Sequence, residues 1–144
     1  MKIETGENSP DMSADTVLTF PQGLPGFEAM TRYRLFHERG NPSLLWLESE
    51  EDPDLQFSLT DPALLKVQYE IKLSDEECAM LQLQEPSDVA VLVMLYKGDS
   101  AKDASPGADI RANFLGPLLI NTRSRIGIQK VLTRVFDYVT IRAE

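Results

Sequence analysis

The clearest pattern in the 144-residue chain is KVQYEIKL at 66–73, where Val67, Tyr69, Ile71 and Leu73 alternate with Lys66, Gln68, Glu70 and Lys72. An apolar period of two sets one face on a core and the other in water, the habit of an antiparallel strand. YRLFHER (33–39) repeats it, with Tyr33, Leu35 and His37 opposite Arg34, Phe36 and Glu38, as does LQFSLT (55–60). SLLWLES (43–49) is an apolar run centred on Trp46. Between it and LQFSLT lies ESEEDPD (48–54), whose Asp52-Pro53 pair predicts a hairpin turn.

TVLTF (16–20) predicts a further strand, and VAVLVMLY (89–96), apolar on both faces, predicts a central one. Ser74 and Glu77 stand at capping-box spacing ahead of Cys78, Ala79, Met80 and Leu81, so a helix of about two turns fits there before Pro86. GDSAKDASPGAD (98–109) has loop composition. IRANFLGPLLIN (110–121) resumes extended structure, with an edge, bulge or bend expected at Gly116-Pro117 because proline cannot donate to a ladder. The remainder is ambiguous: a helical turn at 129–133 fits, followed by an alternating strand over 135–141. Residues 1–15 are polar and aperiodic and read as a flexible N-terminal arm ahead of a domain spanning 16–144.

The sum is eight or nine short strands with one convincing helix. That predicts a mostly β, single small antiparallel domain, a barrel or a sandwich, with one or two short helices. The 42% apolar content is ordinary for such a domain, and no apolar run reaches the roughly 20 residues of a membrane span. Nothing in the first residues marks the chain for export or lipidation, so a cytoplasmic location is expected.

Charge narrows the partners. Twenty-three acids against 14 bases give −9, a sign that repels nucleic-acid phosphates and suits a basic protein partner, or serves solubility alone. Candidate chemistry is sparse. His37 and Cys78 are the only residues of their types, and neither sits in an activating context. The acids of ESEEDPD lack the spacing and central glycine of an EF-hand loop, and GDSAKDASPG lacks the close of a phosphate loop. No catalytic residue, metal or cofactor is expected.

FPQGLPGFE (20–28) holds two prolines and two glycines in nine residues and reads as two consecutive tight turns. One reading sends Phe20 and Phe27 into the core. The other leaves Leu24 and Phe27 partly exposed as an apolar anchor for a partner, with Glu28 at its rim. Asn113 and Asn121 flank apolar strands and suit local backbone bonding or a partner. Arg125 suits an ion pair with the hairpin acids or a partner contact, and Gly127 suggests a turn or a close backbone approach.

FPQGLPGFE followed by YRL, WLESEEDPDLQFSLTDP, NFLGPLLIN and RIGIQKVL occur in the order and spacing of the bacterial flagellar assembly factor FliW family, which the chain resembles from Val17 to about Tyr138. The resemblance implies a small, mostly β, barrel-like fold and a partner-switch protein without enzymatic activity. Such proteins bind new flagellin and, once flagellin is exported, bind CsrA, an RNA-binding repressor of flagellin translation. A flagellin-only chaperone is the alternative. Two departures stand out: Glu48 where the family commonly has Gln, and Gly116 where it commonly has Ala. The candidate contact residues are Leu24, Phe27, Glu28, Glu48, Glu50, Glu51, Asp52, Asp54, Asn121 and Arg125, with the hairpin 50–54 leading.

Overall fold

The computed structural model describes residues 1–4, 16–97, 110–132 and 138–141. In chain order its elements are β1 (Lys2–Glu4), β2 (Thr16–Thr19), β3 (Arg32–Glu38), β4 (Asn41–Ser49), β5 (Gln56–Thr60), β6 (Val67–Lys72), α1 (Asp75–Leu81), β7 (Val89–Lys97), β8 (Ile110–Ala112), β9 (Leu118–Asn121), β10 (Ile126–Gln129) and β11 (Tyr138–Ile141). Two short 3-10 turns lie at Pro62–Leu65 and Pro86–Asp88.

Seven strands close a ring in the order β5, β4, β3, β2, β10, β9, β7 and back to β5, with β8 added beside β7. A second sheet, β1-β6-β11, lies outside that ring. The alternating stretch 67–72 is the centre of this second sheet. Val67, Tyr69 and Ile71 are buried, and so is Leu73 just after it.

β7 explains its own two-faced apolarity. Leu92 packs inside the ring with Leu18, Phe20, Tyr33, Leu35, Leu47 and Leu59. Val89, Val91 and Val93 pack on the other side with Ile3, Tyr69, Ile71 and Leu81. β9 is shared in the same way, with Leu118 and Ile120 inside the ring and Leu119 facing the second sheet. Each fully buried side chain of this size contributes about 1.5–3 kcal/mol of hydrophobic stabilisation, so the shared strands tie two cores into one unit.

α1 has the expected capping box: Ser74 Oγ accepts the Glu77 N–H at 3.1 Å, and a Glu77 carboxylate oxygen accepts the Ser74 N–H at 2.9 Å. Gln82 ends the helix in the left-handed region at φ 53°. Cys78 is partly buried on this helix and packs against the outer core.

Two expectations are corrected. The arm does not begin at residue 1: Lys2–Glu4 pair antiparallel with β6 in the register Ile3↔Ile71, and Ile3 is buried. The rest of the arm, residues 5–15, lies outside the described residues. The helical turn at 129–133 is not formed in its described part, because Gln129 ends β10 and Lys130 and Leu132 extend its bonding to Pro117 and Leu115. The ring is antiparallel as expected except at one pair, Ile126↔Thr19, where β2 meets β10 in parallel. The loop 98–109 and the start of the last expected strand, 135–137, also lie outside the described residues.

Candidate functional site

Two turns of FPQGLPGFE form as predicted, and a third follows. The Gly23 N–H bonds the Phe20 carbonyl at 2.7 Å, the Phe27 N–H bonds the Leu24 carbonyl at 2.7 Å, and the Met30 N–H bonds the Phe27 carbonyl at 3.1 Å. Gly23 is required twice over: its φ is +65°, and an added Cβ would lie 2.5 Å from the Glu28 Cα. Glu28 braces the loop by accepting the Gly26 N–H at 3.1 Å.

The loop divides its apolar residues differently from either reading. Phe20 is wholly inside the ring, edge-on to Tyr33 at 5.5 Å between centroids. Leu24 is 1% exposed, which corrects its expectation as an exposed anchor: the second turn folds it inward onto the ring core. Of Phe20, Leu24 and Phe27, only Phe27 is presented, 38% exposed, with its ring edge-on to Phe57 at 5.6 Å.

Through Phe57 the loop reaches the acidic hairpin. Ser49 organises the hairpin tip, its Oγ accepting the N–H groups of Glu51 (3.1 Å) and Asp52 (3.2 Å) while reaching Met30 Sδ at 3.5 Å. Asp52 Oδ1 accepts the Asp54 N–H at 3.1 Å, the local bonding expected of an Asp-Pro turn. Phe27 and Met30 therefore bring the loop against the hairpin that carries the 48–54 acids, whereas Glu28 lies on the loop's other contact, the cleft beside β10.

The acids on that surface are not equivalent. Glu48 faces Arg34 across the β3–β4 register, 3.4 Å apart, and also accepts from Gln56 at 2.7 Å. Glu50 lies 3.6 Å from Arg32. Glu51 and Asp54 are exposed at the tip. Beneath them the Tyr33 hydroxyl is buried with no hydrogen-bond partner among the described residues, and burial first, then the Glu51 charge, raises its pKa above the ordinary tyrosine value. Arg32, Arg34, Phe57 and Met30 belong to this surface and were missed. The cross-strand pair Arg34↔Glu48 was the available signal, readable once the two strands are set in register.

Asn121 and Arg125 lie elsewhere. Asn121 is 1% exposed and its amide donates to the carbonyls of Leu81 (2.8 Å) and Gln82 (3.2 Å), while its Oδ1 accepts the Arg123 N–H at 2.9 Å. It is a buried tie between α1 and the β9–β10 turn, which corrects its candidacy as a contact residue: every arm of the amide is spent inside the fold. Arg125 is exposed, closes that turn with φ +61°, and gives its carbonyl to the Thr19 N–H at 2.9 Å. Among the described residues, the cations that meet the hairpin acids are Arg32 and Arg34.

Between the triple turn and β10 lies a cleft of about 350 Å³, lined by Gln22, Gly23, Pro25, Glu28, Ile128 and Gln129. Gly127 forms its floor. An added Cβ there would lie 2.7 Å from the Phe20 ring, so of the two roles its sequence position suggested, a turn or a close approach, the structure has the close approach. Among the described residues, no three His, Cys, Asp or Glu side chains gather as a metal set, and no helix is long and apolar enough to cross a membrane.

A small β-ring with an outer three-stranded sheet, carrying an acidic hairpin beside a rigid aromatic turn, defines a scaffold whose distinctive features are surface features. The family model described as FliW protein matches residues 3–142, and the chain belongs to that family of flagellar assembly factors. The flagellar assembly factor FliW of Azoarcus sp. (strain BH72) is 43% identical over 145 residues, covering 99% of this chain and 98% of the relative. That of Chromobacterium violaceum is 46% identical over 125 residues, covering 83% and 84%. A crystal structure of the flagellar assembly factor FliW superposes with a TM-score of 0.69 at 28% identity, covering 89% of this chain and 87% of the other. The strand pattern predicted a mostly β barrel or sandwich, and the barrel-like form that the resemblance implied is the one observed.

Proposed function

We propose that this protein is a non-enzymatic partner switch: it binds flagellin, and when free of flagellin it binds and antagonises the translational repressor CsrA in the cytoplasm. The observation that carries the reading is the family match across residues 3–142, which leaves no separate domain for a different activity within that span. The surface chemistry supports it. CsrA must hold RNA through basic groups, and this chain of net charge −9 presents Glu51 and Asp54 at an exposed tip beside the half-exposed Phe27. A partly exposed aromatic ringed by charge is a common anchor arrangement in protein interfaces. Docking of so acidic a body adds repulsion against RNA phosphate even where it does not cover the RNA site.

The test is release of a labelled flagellin-leader RNA from CsrA. Addition of this protein is expected to free the RNA, and flagellin added with it is expected to restore the CsrA–RNA complex. RNA that stays bound to CsrA at saturating protein would leave a flagellin-only chaperone.

A further inference from the structure

The cleft beside β10 exists because a proline interrupts a ladder. In the β9–β10 pairing, the Lys130 N–H bonds the Pro117 carbonyl at 3.1 Å and the Leu132 N–H bonds the Leu115 carbonyl at 2.8 Å. That parity turns the polar groups of even-numbered residues toward β9, and those of Gly127, Gln129 and Val131 toward β2. On the β2 side, the Arg125 carbonyl accepts the Thr19 N–H, and pairing ends at Ile126↔Thr19.

The next donor in a parallel ladder, for the Gly127 carbonyl, would be the N–H of residue 21. Residue 21 is proline and has none. The chain then leaves β10 in the turn that Gly23 closes onto Phe20. Among the described residues, what remains is a strand edge made of the Gly127 carbonyl and the N–H and carbonyl of Gln129. It faces the 350 Å³ cleft and continues to Val131, whose side chain is 71% exposed. Such an edge is a template for another extended chain.

We propose that this edge receives an extended segment of a partner protein, added as a strand to β10, with a basic side chain directed at Glu28. Charge complementarity selects that occupant. Among the described residues Glu28 is the one charged side chain lining the cleft, in a protein of net charge −9, so an acidic segment is repelled and a basic one is drawn in. Backbone pairing supplies the affinity, and Glu28 supplies the preference. The proposal stands apart from the hairpin surface and does not depend on which partner uses that surface.

The full chain, labelled with nitrogen-15, is titrated at millimolar concentration with ten-residue probe peptides of alternating Thr and Val. One carries a central Lys, one a central Glu, and one is the Lys peptide N-methylated at alternate backbone nitrogens. The Lys peptide is expected to slow amide exchange of Gln129 and Val131 at least tenfold. The Glu peptide is expected to bind at least tenfold more weakly, and the N-methylated peptide not at all. Gln129→Pro, tolerated where an N–H faces away from the sheet, is expected to abolish protection, and Glu28→Gln, which leaves the edge intact, to remove the Lys preference. No protection at Gln129 with any peptide would overturn the proposal, as would equal binding of the Lys and Glu peptides. Concentration-dependent self-association that Gln129→Pro abolishes would assign the edge to a second copy of this chain and overturn it equally.

Discussion

The ring of Phe20 occupies the space that a side chain at position 127 would need, with 2.7 Å separating an added Cβ from the nearest ring carbon. This contact locks β2 to β10 at the point where only one residue pair joins them. Gly127→Ala is therefore expected to destabilise the fold by about 1–3 kcal/mol through overpacking. A urea midpoint measurement checks this. Phe20→Leu combined with Gly127→Ala is expected to cost less than the sum of the two single changes, since the smaller side chain gives the new methyl room.

Asn121 makes the opposite kind of prediction, a loss rather than a clash. Asn121→Ala removes the amide that serves the Leu81 and Gln82 carbonyls and the Arg123 N–H. Leaving buried partners unmatched costs about 1–3 kcal/mol, and Asn121→Asp is expected to be no better because a carboxylate cannot donate to those carbonyls. Thermal melts read the loss, and partner affinity of the folded variant is expected to be unchanged.

These two residues show what was legible in the sequence. Gly127 was readable as a turn or a close backbone approach, and only the packed Phe20 ring decides for the second. The strands at 67–72 and 89–97 were readable because one alternates and the other is apolar on both faces, and the two cores account for that difference. The inward turn of Leu24 was not readable, since a tight turn fixes the backbone locally but its facing is set by the ring around it. Strand β1 escaped because a three-residue strand with one buried side chain, Ile3, shows no period. The single parallel pair Ile126↔Thr19 leaves no periodic trace either. The hairpin acids were found by composition, and the pairing of Glu50 with Arg32 and of Glu48 with Arg34 needed the register.

Acid titration should report on the capping box. Burial works against the Glu77 charge, but the Ser74 N–H and the Lys130 ammonium, 2.9 Å away, outweigh it and hold the carboxyl below its ordinary value. A depressed carboxyl pKa contributes stability that is present above the unfolded value of about 4.3 and is lost as pH falls through the folded value. The urea midpoint is expected to fall as pH drops below that range. Glu77→Gln is expected to lower the midpoint at neutral pH and to flatten this part of its pH dependence.

The hairpin tip separates binding from stability. Glu51 and Asp54 are exposed, so Glu51→Lys with Asp54→Lys is expected to leave stability within about 0.5 kcal/mol for each change. On the proposed reading the same double variant loses at least tenfold in CsrA affinity, about 1.4 kcal/mol, and the wild-type affinity weakens with added salt. Phe27→Ala is expected to weaken partner binding at all salt concentrations, because its ring supplies apolar rather than charged contact.

The most direct test of the account is calorimetric titration of this protein into CsrA from the same organism, repeated with flagellin already bound. The account predicts a measurable CsrA affinity for the free protein that is lost or strongly reduced in the flagellin complex. Tight flagellin binding with no CsrA binding in either titration would contradict it.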